Sequence, residues 1–167
     1  MSRTPVTEAA FCGYYPGVIG KITEAHAVYY HENWGFDVSF ETQVGRELSE
    51  FIAAFQEGRD GFWVATVGGR FAGSAAIDGR QASTEGARLR WFIVVPAHQG
   101  TGLGKELLSR AVKFCRQRNF PRTYLWTFEG LQAARALYEH EGFQLCEEHA
   151  VNQWGQKITE QMFQLSL

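Results

Sequence analysis

The stretch Val94-Val95-Pro96-Ala97-His98-Gln99-Gly100-Thr101-Gly102-Leu103-Gly104-Lys105 sets the reading of this chain. An apolar, strand-like run stops at a proline, passes into alternating glycines and then opens a helix. Glycines leave backbone N–H groups unshielded, and a helix starting near Gly102 adds unpaired donors and the positive end of its dipole. The pattern is a cradle for phosphate, and its spacing narrows which phosphate. A P-loop needs glycine at the position of Gln99 and Ser or Thr at that of Glu106, so a nucleotide triphosphatase is excluded. A dinucleotide fingerprint would need its third glycine at Lys105 or at Leu107, and both frames fail.

Outward from the loop, the hydrophobic period changes along the chain. Pro16 to Trp34 and Glu41 to Phe55 carry apolar residues at helical spacing. Phe62 to Val67 and Phe71 to Ile77 read as strands joined by the hairpin signal Gly68-Gly69. Leu89 to Val95 predicts a strand, Leu103 to Arg118 a helix, Thr123 to Phe128 a strand and Leu131 to His140 a short helix. Phe143 to Glu148 and Thr159 to Leu165 predict two last strands. An antiparallel meander followed by strand–helix alternation gives the α/β class with a mixed sheet. With 167 residues, 45% of them hydrophobic, the expected organisation is an N-terminal segment over 1–10 and a single domain over 11–167.

Composition excludes several classes. No apolar stretch approaches the length of a membrane span and no secretory signal opens the sequence, so the expected setting is the cytoplasm, without a membrane partner. Cys12, Cys115 and Cys146 are widely spaced and odd in number, which provides neither a disulfide framework nor a metal knuckle. His26 and His31 are too far apart for a helical zinc pair, so no metal is expected. Between Arg88 and Arg122, eight basic residues against Glu106 alone give +7, and the remainder carries −9. A basic segment beside the cradle suits a polyanionic cofactor, whereas an acidic remainder favours cationic amines over nucleic acid.

The loop also fits Gln-x-x-Gly-x-Gly, at Gln99, Gly102 and Gly104, and so resembles the acetyl-coenzyme A (acetyl-CoA) loop of the GNAT family of N-acetyltransferases. Arg-Leu-Arg-Trp-Phe-Ile-Val-Val-Pro (88–96), Tyr-Leu-Trp-Thr-Phe (124–128) and Ala-Ala-Arg-Ala-Leu-Tyr-Glu-His-Glu-Gly-Phe (133–143) are similar to the same family. Pro-Gly-x-Ile-Gly (16–20), Tyr-x-x-x-x-Gly-Phe-Asp (30–37) and Trp-Gly-x-x-Ile-Thr-Glu-Gln (154–161) resemble the acetyltransferase half of bacterial proteins that fuse it to a MarR-type DNA-binding domain. With no regulator half before Met1, the expected chain is the enzyme standing alone.

The resemblance implies a GNAT fold: a central, mostly antiparallel sheet splayed between its fourth and fifth strands, with helices on both faces. It implies acetyl-CoA as cosubstrate, pantetheine amides along Ile93, Val94 and Val95, and pyrophosphate at the amides of Gln99, Gly100, Thr101, Gly102, Leu103, Gly104 and Lys105. On that picture Thr101 and Lys105 add side-chain contacts and Leu103 anchors the helix. Tyr138 falls where the family has a tyrosine near the thioester sulfur, the position of a general acid. Leu131 stands where many members place an asparagine.

Direct attack in a ternary complex needs a neutral amine, and an alkylamine of pKa about 10.4 is neutral in only about one molecule in 10³ at pH 7, a penalty of about 4.6 kcal/mol. A carboxylate is therefore expected near it. Glu129 and Glu85 flank the two central strands, and Glu32 and Asp37 lie farther forward. Phe11, Tyr14, Tyr15, Tyr29, Tyr30, Trp34, Phe36 and Phe40 suit an acceptor wall for a small amine or a peptide amine. A cradle without any base would instead make an acyl-CoA sensor. Dimers are frequent among relatives, which puts a homodimer among the expected assemblies.

Overall fold

Residues 8–167 are described by a computed structural model of the chain. Strands β1 (Ala10–Cys12), β2 (Gly61–Val67), β3 (Arg70–Asp78), β4 (Ala87–Val94), β5 (Arg122–Phe128), β6 (Gln144–Gln153) and β7 (Gln156–Ser166) form one sheet in the order β1-β2-β3-β4-β5-β7-β6. Every pairing is antiparallel except β4 with β5. Helices α1 (Val18–Trp34) and α2 (Val38–Ala53) cover one face, while α3 (Leu103–Gln117) and α4 (Gln132–Glu141) cover the other. The mixed α/β GNAT fold expected from the sequence is the one observed.

Differences in extent have local causes. Met1 to Thr7, most of the expected N-terminal segment, lies outside the described residues, and Ala10 already pairs with Thr66 in β1. The last two strands run several residues longer than expected, because β6 is an exposed polar edge without hydrophobic alternation. Helix α2 begins at Val38 rather than Glu41, since Asp37 caps it by accepting the Ser39 N–H at 2.9 Å.

The sheet parts at its centre. β4 and β5 pair only at Ala87 with Thr123 and at Arg88 with Tyr124, whereas β7 holds the far edge of β5 from Arg122 to Phe128. Beyond Arg88 the backbone of β4 therefore faces a wedge. A bulge sets where the wedge lies. Ser74 pairs with Ile93 and Ala76 with Arg90, so β4 carries one extra residue, and Trp91 adopts a positive φ of 46°. Ala87 and Leu89 point toward α3, but Trp91 joins the α1–α2 core, and Phe92 and Val94 return to the α3 side. Gly104 lets α3 close on the wedge: a Cβ there would lie 3.0 Å from Leu137 Cδ1 and 3.6 Å from Val94 Cγ2.

The fully buried Ser74 hydroxyl donates to the Trp91 carbonyl at 2.7 Å and so satisfies the group that the bulge frees. Ser74→Ala leaves that carbonyl without a partner and is expected to cost about 1–3 kcal/mol of stability, measured by urea unfolding.

Candidate functional site

A cavity of about 690 Å³ runs from the glycine loop, through the wedge, to an aromatic lobe beneath α1 and α2. Its three parts arise from different physical causes.

At the loop end, Pro96 to His98 form one 3-10 turn and the chain then doubles back through Gly100 and Gly102, at φ 76° and 88°. L-residues rarely adopt that conformation, and a Cβ at either glycine would meet nothing within 4 Å. Open space thus lies before the amides. Gly102 caps α3 without any side-chain bond, and the first rung of the helix is Glu106 N–H to the Gly102 carbonyl. The N–H groups of Leu103, Gly104 and Lys105 consequently lack intrahelical acceptors. Gln99 and Thr101 brace the loop from within: Gln99 Nε2 donates to the Val94 carbonyl at 3.1 Å, and the Thr101 hydroxyl to the His98 carbonyl at 2.6 Å.

In the middle sits Tyr138, buried on α4 against the rings of Phe92, Phe143 and Phe163 at 5.9–6.1 Å. Burial, and secondarily Tyr30, pushes its phenol well above the ordinary tyrosine range. Tyr138 therefore keeps its proton.

The aromatic lobe centres on Tyr30, whose ring lies 5.2–5.9 Å from those of Tyr29, Trp34, Phe36, Phe40 and Phe128. Trp154 completes it from the β6–β7 turn, where Trp154 and Gly155 both have positive φ, 54° and 77°, as a type I′ hairpin requires. Its indole N–H donates to Gln43 Oε1 at 2.9 Å. His26 is buried in the same lobe, and its Nδ1 lies 2.8 Å from the Ile22 carbonyl. A carbonyl only accepts, so Nδ1 carries the hydrogen and Nε2 the lone pair. Burial lowers this imidazole to a pKa of about 4.

The floor beneath the lobe is charged. Arg90 reaches Glu47 at 2.5 Å and Asp78 at 3.4 Å, and Arg80 clasps Asp78 through two bonds of 2.9 and 2.6 Å. Burial works to raise the Asp78 carboxyl, yet the Arg80 bonds and charge hold it below the usual range.

Of the residues expected from sequence, Ile93, Val94, Gln99, Gly100, Gly102, Gly104, Lys105 and Tyr138 line this one cavity. Val95, Thr101 and Leu103 do not: Val95 donates to the Ala72 carbonyl at 2.9 Å, and Leu103 is buried in the core. Glu129 is exposed just past β5 and borders a recess of about 50 Å³ that adjoins the main cavity through Thr127, Phe128 and Gly130 to Gln132. Glu85 is exposed before β4, where its carbonyl accepts from Arg122. The carboxylates that do line the cavity are Glu47 and Glu160. Of the expected aromatic wall, Tyr29, Tyr30, Trp34 and Phe40 line the cavity and Phe36 packs behind them, while Phe11, Tyr14 and Tyr15 lie elsewhere. Of the basic segment only Arg88, Arg90 and Lys105 face the cavity. Arg110 pairs with Glu106, and Arg118 stacks on Phe114.

Sequence reasoning missed Arg88, Arg90, Glu47 and the cavity-facing role of His26. The available signal was two arginines at period two inside an otherwise apolar strand, which places both on one face of a buried sheet.

The acetyltransferase (GNAT) family model matches residues 22–143. The chain belongs to that family. It is 33% identical over 98 residues to the uncharacterised N-acetyltransferase YjgM of Escherichia coli, covering 58% of this chain and 59% of that protein. It thus spans about three fifths of that relative's length. Among solved structures, a GNAT acetyltransferase of Staphylococcus aureus superposes with a TM-score of 0.77 at 16% identity, over 96% of this chain and 99% of that one. The acetyltransferase yncA of Salmonella typhimurium, solved with its cofactor acetyl-CoA, gives 0.75 at 20% identity, over 95% and 94%. These superpositions establish the shared fold.

His26 couples folding to acidity. Its folded pKa of about 4 lies below the unfolded value near 6.5, so its contribution is complete above pH 6.5 and is lost as pH falls toward 4. Urea unfolding is expected to show a loss of roughly 3 kcal/mol across that window. His26→Leu should flatten that part of the profile.

Proposed function

We propose that this protein is an acetyl-CoA-dependent N-acetyltransferase, acting in the cytoplasm on a primary amine that attacks the thioester directly in a ternary complex. The observation that carries the reading is the single cavity joining the glycine cradle, Tyr138 and the aromatic lobe. Acetyl-CoA supplies an activated acyl group when bound. The residues present fit it: open space before Gly100 and Gly102 and the acceptor-free amides of Leu103 to Lys105 suit a pyrophosphate, with Lys105 adding positive charge. The β4 edge that diverges from β5 beyond Arg88, with the Val94 carbonyl held by Gln99 Nε2, suits an extended chain bearing amides.

Neither Cys nor Ser is among the described residues that line the cavity, which supports direct attack over an acyl-enzyme. Tyr138 holds a proton toward the departing sulfur. Glu129 and Glu85 do not line the cavity, so we take as candidate proton acceptors Glu160 and Glu47, the latter already ion-paired with Arg90. The aromatic lobe suits an ammonium group before it is deprotonated.

Calorimetry is expected to detect acetyl-CoA binding, weakened on the order of 10²-fold by Gly102→Asp, which sets a like charge in the cradle at a strained φ. Absence of binding to the unaltered chain overturns the reading. Tyr138→Phe is expected to lower kcat on the order of 10²-fold in thiol-release assays. Because Tyr138 stays protonated, it adds no alkaline limb to the rate profile below about pH 10. Of Glu47→Gln and Glu160→Gln, the one that erases the acid limb of kcat/KM marks the base.

A further inference from the structure

Arg88 lines the cavity and carries a side-chain nitrogen closed to solvent and without a hydrogen-bond partner. Its side chain shares the α1–α2 face with Arg90, because Ala87 and Leu89 on either side point to α3. It lines the cavity at the closed end of the wedge, where β4 pairs with Tyr124 of β5. Its Nε is shut off from solvent and has no hydrogen-bond partner, and among the described residues no carboxylate lies within 4 Å of its guanidinium. Desolvating a charged donor without a partner costs more than most hydrogen bonds return.

The surrounding charges do not relieve it. The carboxylates bonded to its neighbours are taken, Asp78 by Arg80 and Arg90 and Glu47 by Arg90, and among the described residues none bonds Arg88. Arg90 is pushed below its ordinary range, first by burial and then by the neighbouring charge of Arg88. The planar guanidinium fork of an arginine that lines the cavity matches an oxyanion in bidentate geometry.

We propose that the acceptor amine also carries an oxyanion, a carboxylate or phosphonate, which docks on Arg88 while its amine end lies in the aromatic lobe. This rests on the acetyltransferase reading above. It narrows the acceptor from amines in general to amino acids and their phosphonate counterparts. Polyamines and other wholly cationic amines would face Arg88 with like charge. Four strand residues, roughly 13 Å, separate the Cα of Arg88 from Phe92, beside which Tyr138 packs. The arginine side chain spans part of that interval, so the amine-to-oxyanion spacing becomes a variable to be measured.

The test is a thiol-release panel in matched triplets: an amino carboxylate, its primary amide and the corresponding aminophosphonate, at spacings from α-amino to longer ω-amino compounds. At least one oxyanion member is expected to exceed its amide by about tenfold or more in kcat/KM. The carboxylate and phosphonate arms identify which oxyanion is taken. Arg88→Met is expected to erase that ratio to within about twofold and Arg88→Lys to keep part of it, with acetyl-CoA affinity unchanged in both. The Arg88→Met melting temperature should hold or rise, since an apolar chain of similar length removes an unpaired buried group. Equal or better turnover of the amides, a ratio surviving in Arg88→Met, or no turnover of any member while acetyl-CoA still binds, each overturns the proposal. Failure to bind acetyl-CoA instead overturns the acetyltransferase reading.

Discussion

The separation of β4 from β5 is the constraint on which the rest of the molecule depends. A sheet that stayed paired along both strands would have no interior edge and no passage between its faces. Here two residue pairs, at Ala87 and Arg88, are kept, and the strands then diverge with β5 held by β7. The bulge at Trp91 makes that divergence compatible with a packed core. One extra residue reverses which side chains face which helices, so Trp91 fills the α1–α2 core while Phe92 and Val94 still pack beneath α3. Without the reversal, a bulky indole and two apolar side chains would each face the wrong layer. Ser74 offsets the backbone cost at the point of inversion.

Much of this was legible in the sequence because its causes are local. Period-two runs bounded by glycines marked the central strands, and Gly100 and Gly102, both at positive φ, marked the turn that leads into α3. The bulge was not legible, since Arg-Trp-Phe-Ile looks like uninterrupted strand until its partner's register is known. The edge strand β6 was underestimated for the opposite reason: a strand with both faces exposed has no hydrophobic period to read. The base was sought beside the central strands, at Glu129 and Glu85. The carboxylates bordering the cavity come from α2 and β7 instead, through contacts of long sequence separation that no spacing rule reports.

Electrostatics divides the cavity in a way that net charge conceals. The +7 of the central segment suggests one broad polyanion surface, yet most of those residues are spent on ion pairs, stacking and solvent. What faces the cavity is a lysine beside backbone amides at one end and an arginine cluster at the other. Between them lie neutral groups kept neutral by burial: the Tyr138 and Tyr30 phenols pushed up, the His26 imidazole pushed down. A middle of neutral groups thus separates the lysine end from the arginine end, where Glu47 pairs with Arg90.

The two ends differ in how the chain builds them. The cradle comes from a dozen consecutive residues whose backbone does the recognition, so its chemistry survives wide changes of side chain. The acceptor end is assembled from α1, α2, the start of β4 and the β6–β7 turn, and it depends on specific side chains held by long-range contacts. Trp154 is the extreme case, a non-glycine residue in left-handed backbone whose indole reaches Gln43, 111 positions earlier, to close the lobe. Backbone strain of that kind persists only where surrounding structure fixes it, and here the fixing contacts are the lobe itself. The lobe therefore resides in the tertiary assembly, whereas the cradle is built from one continuous stretch of chain.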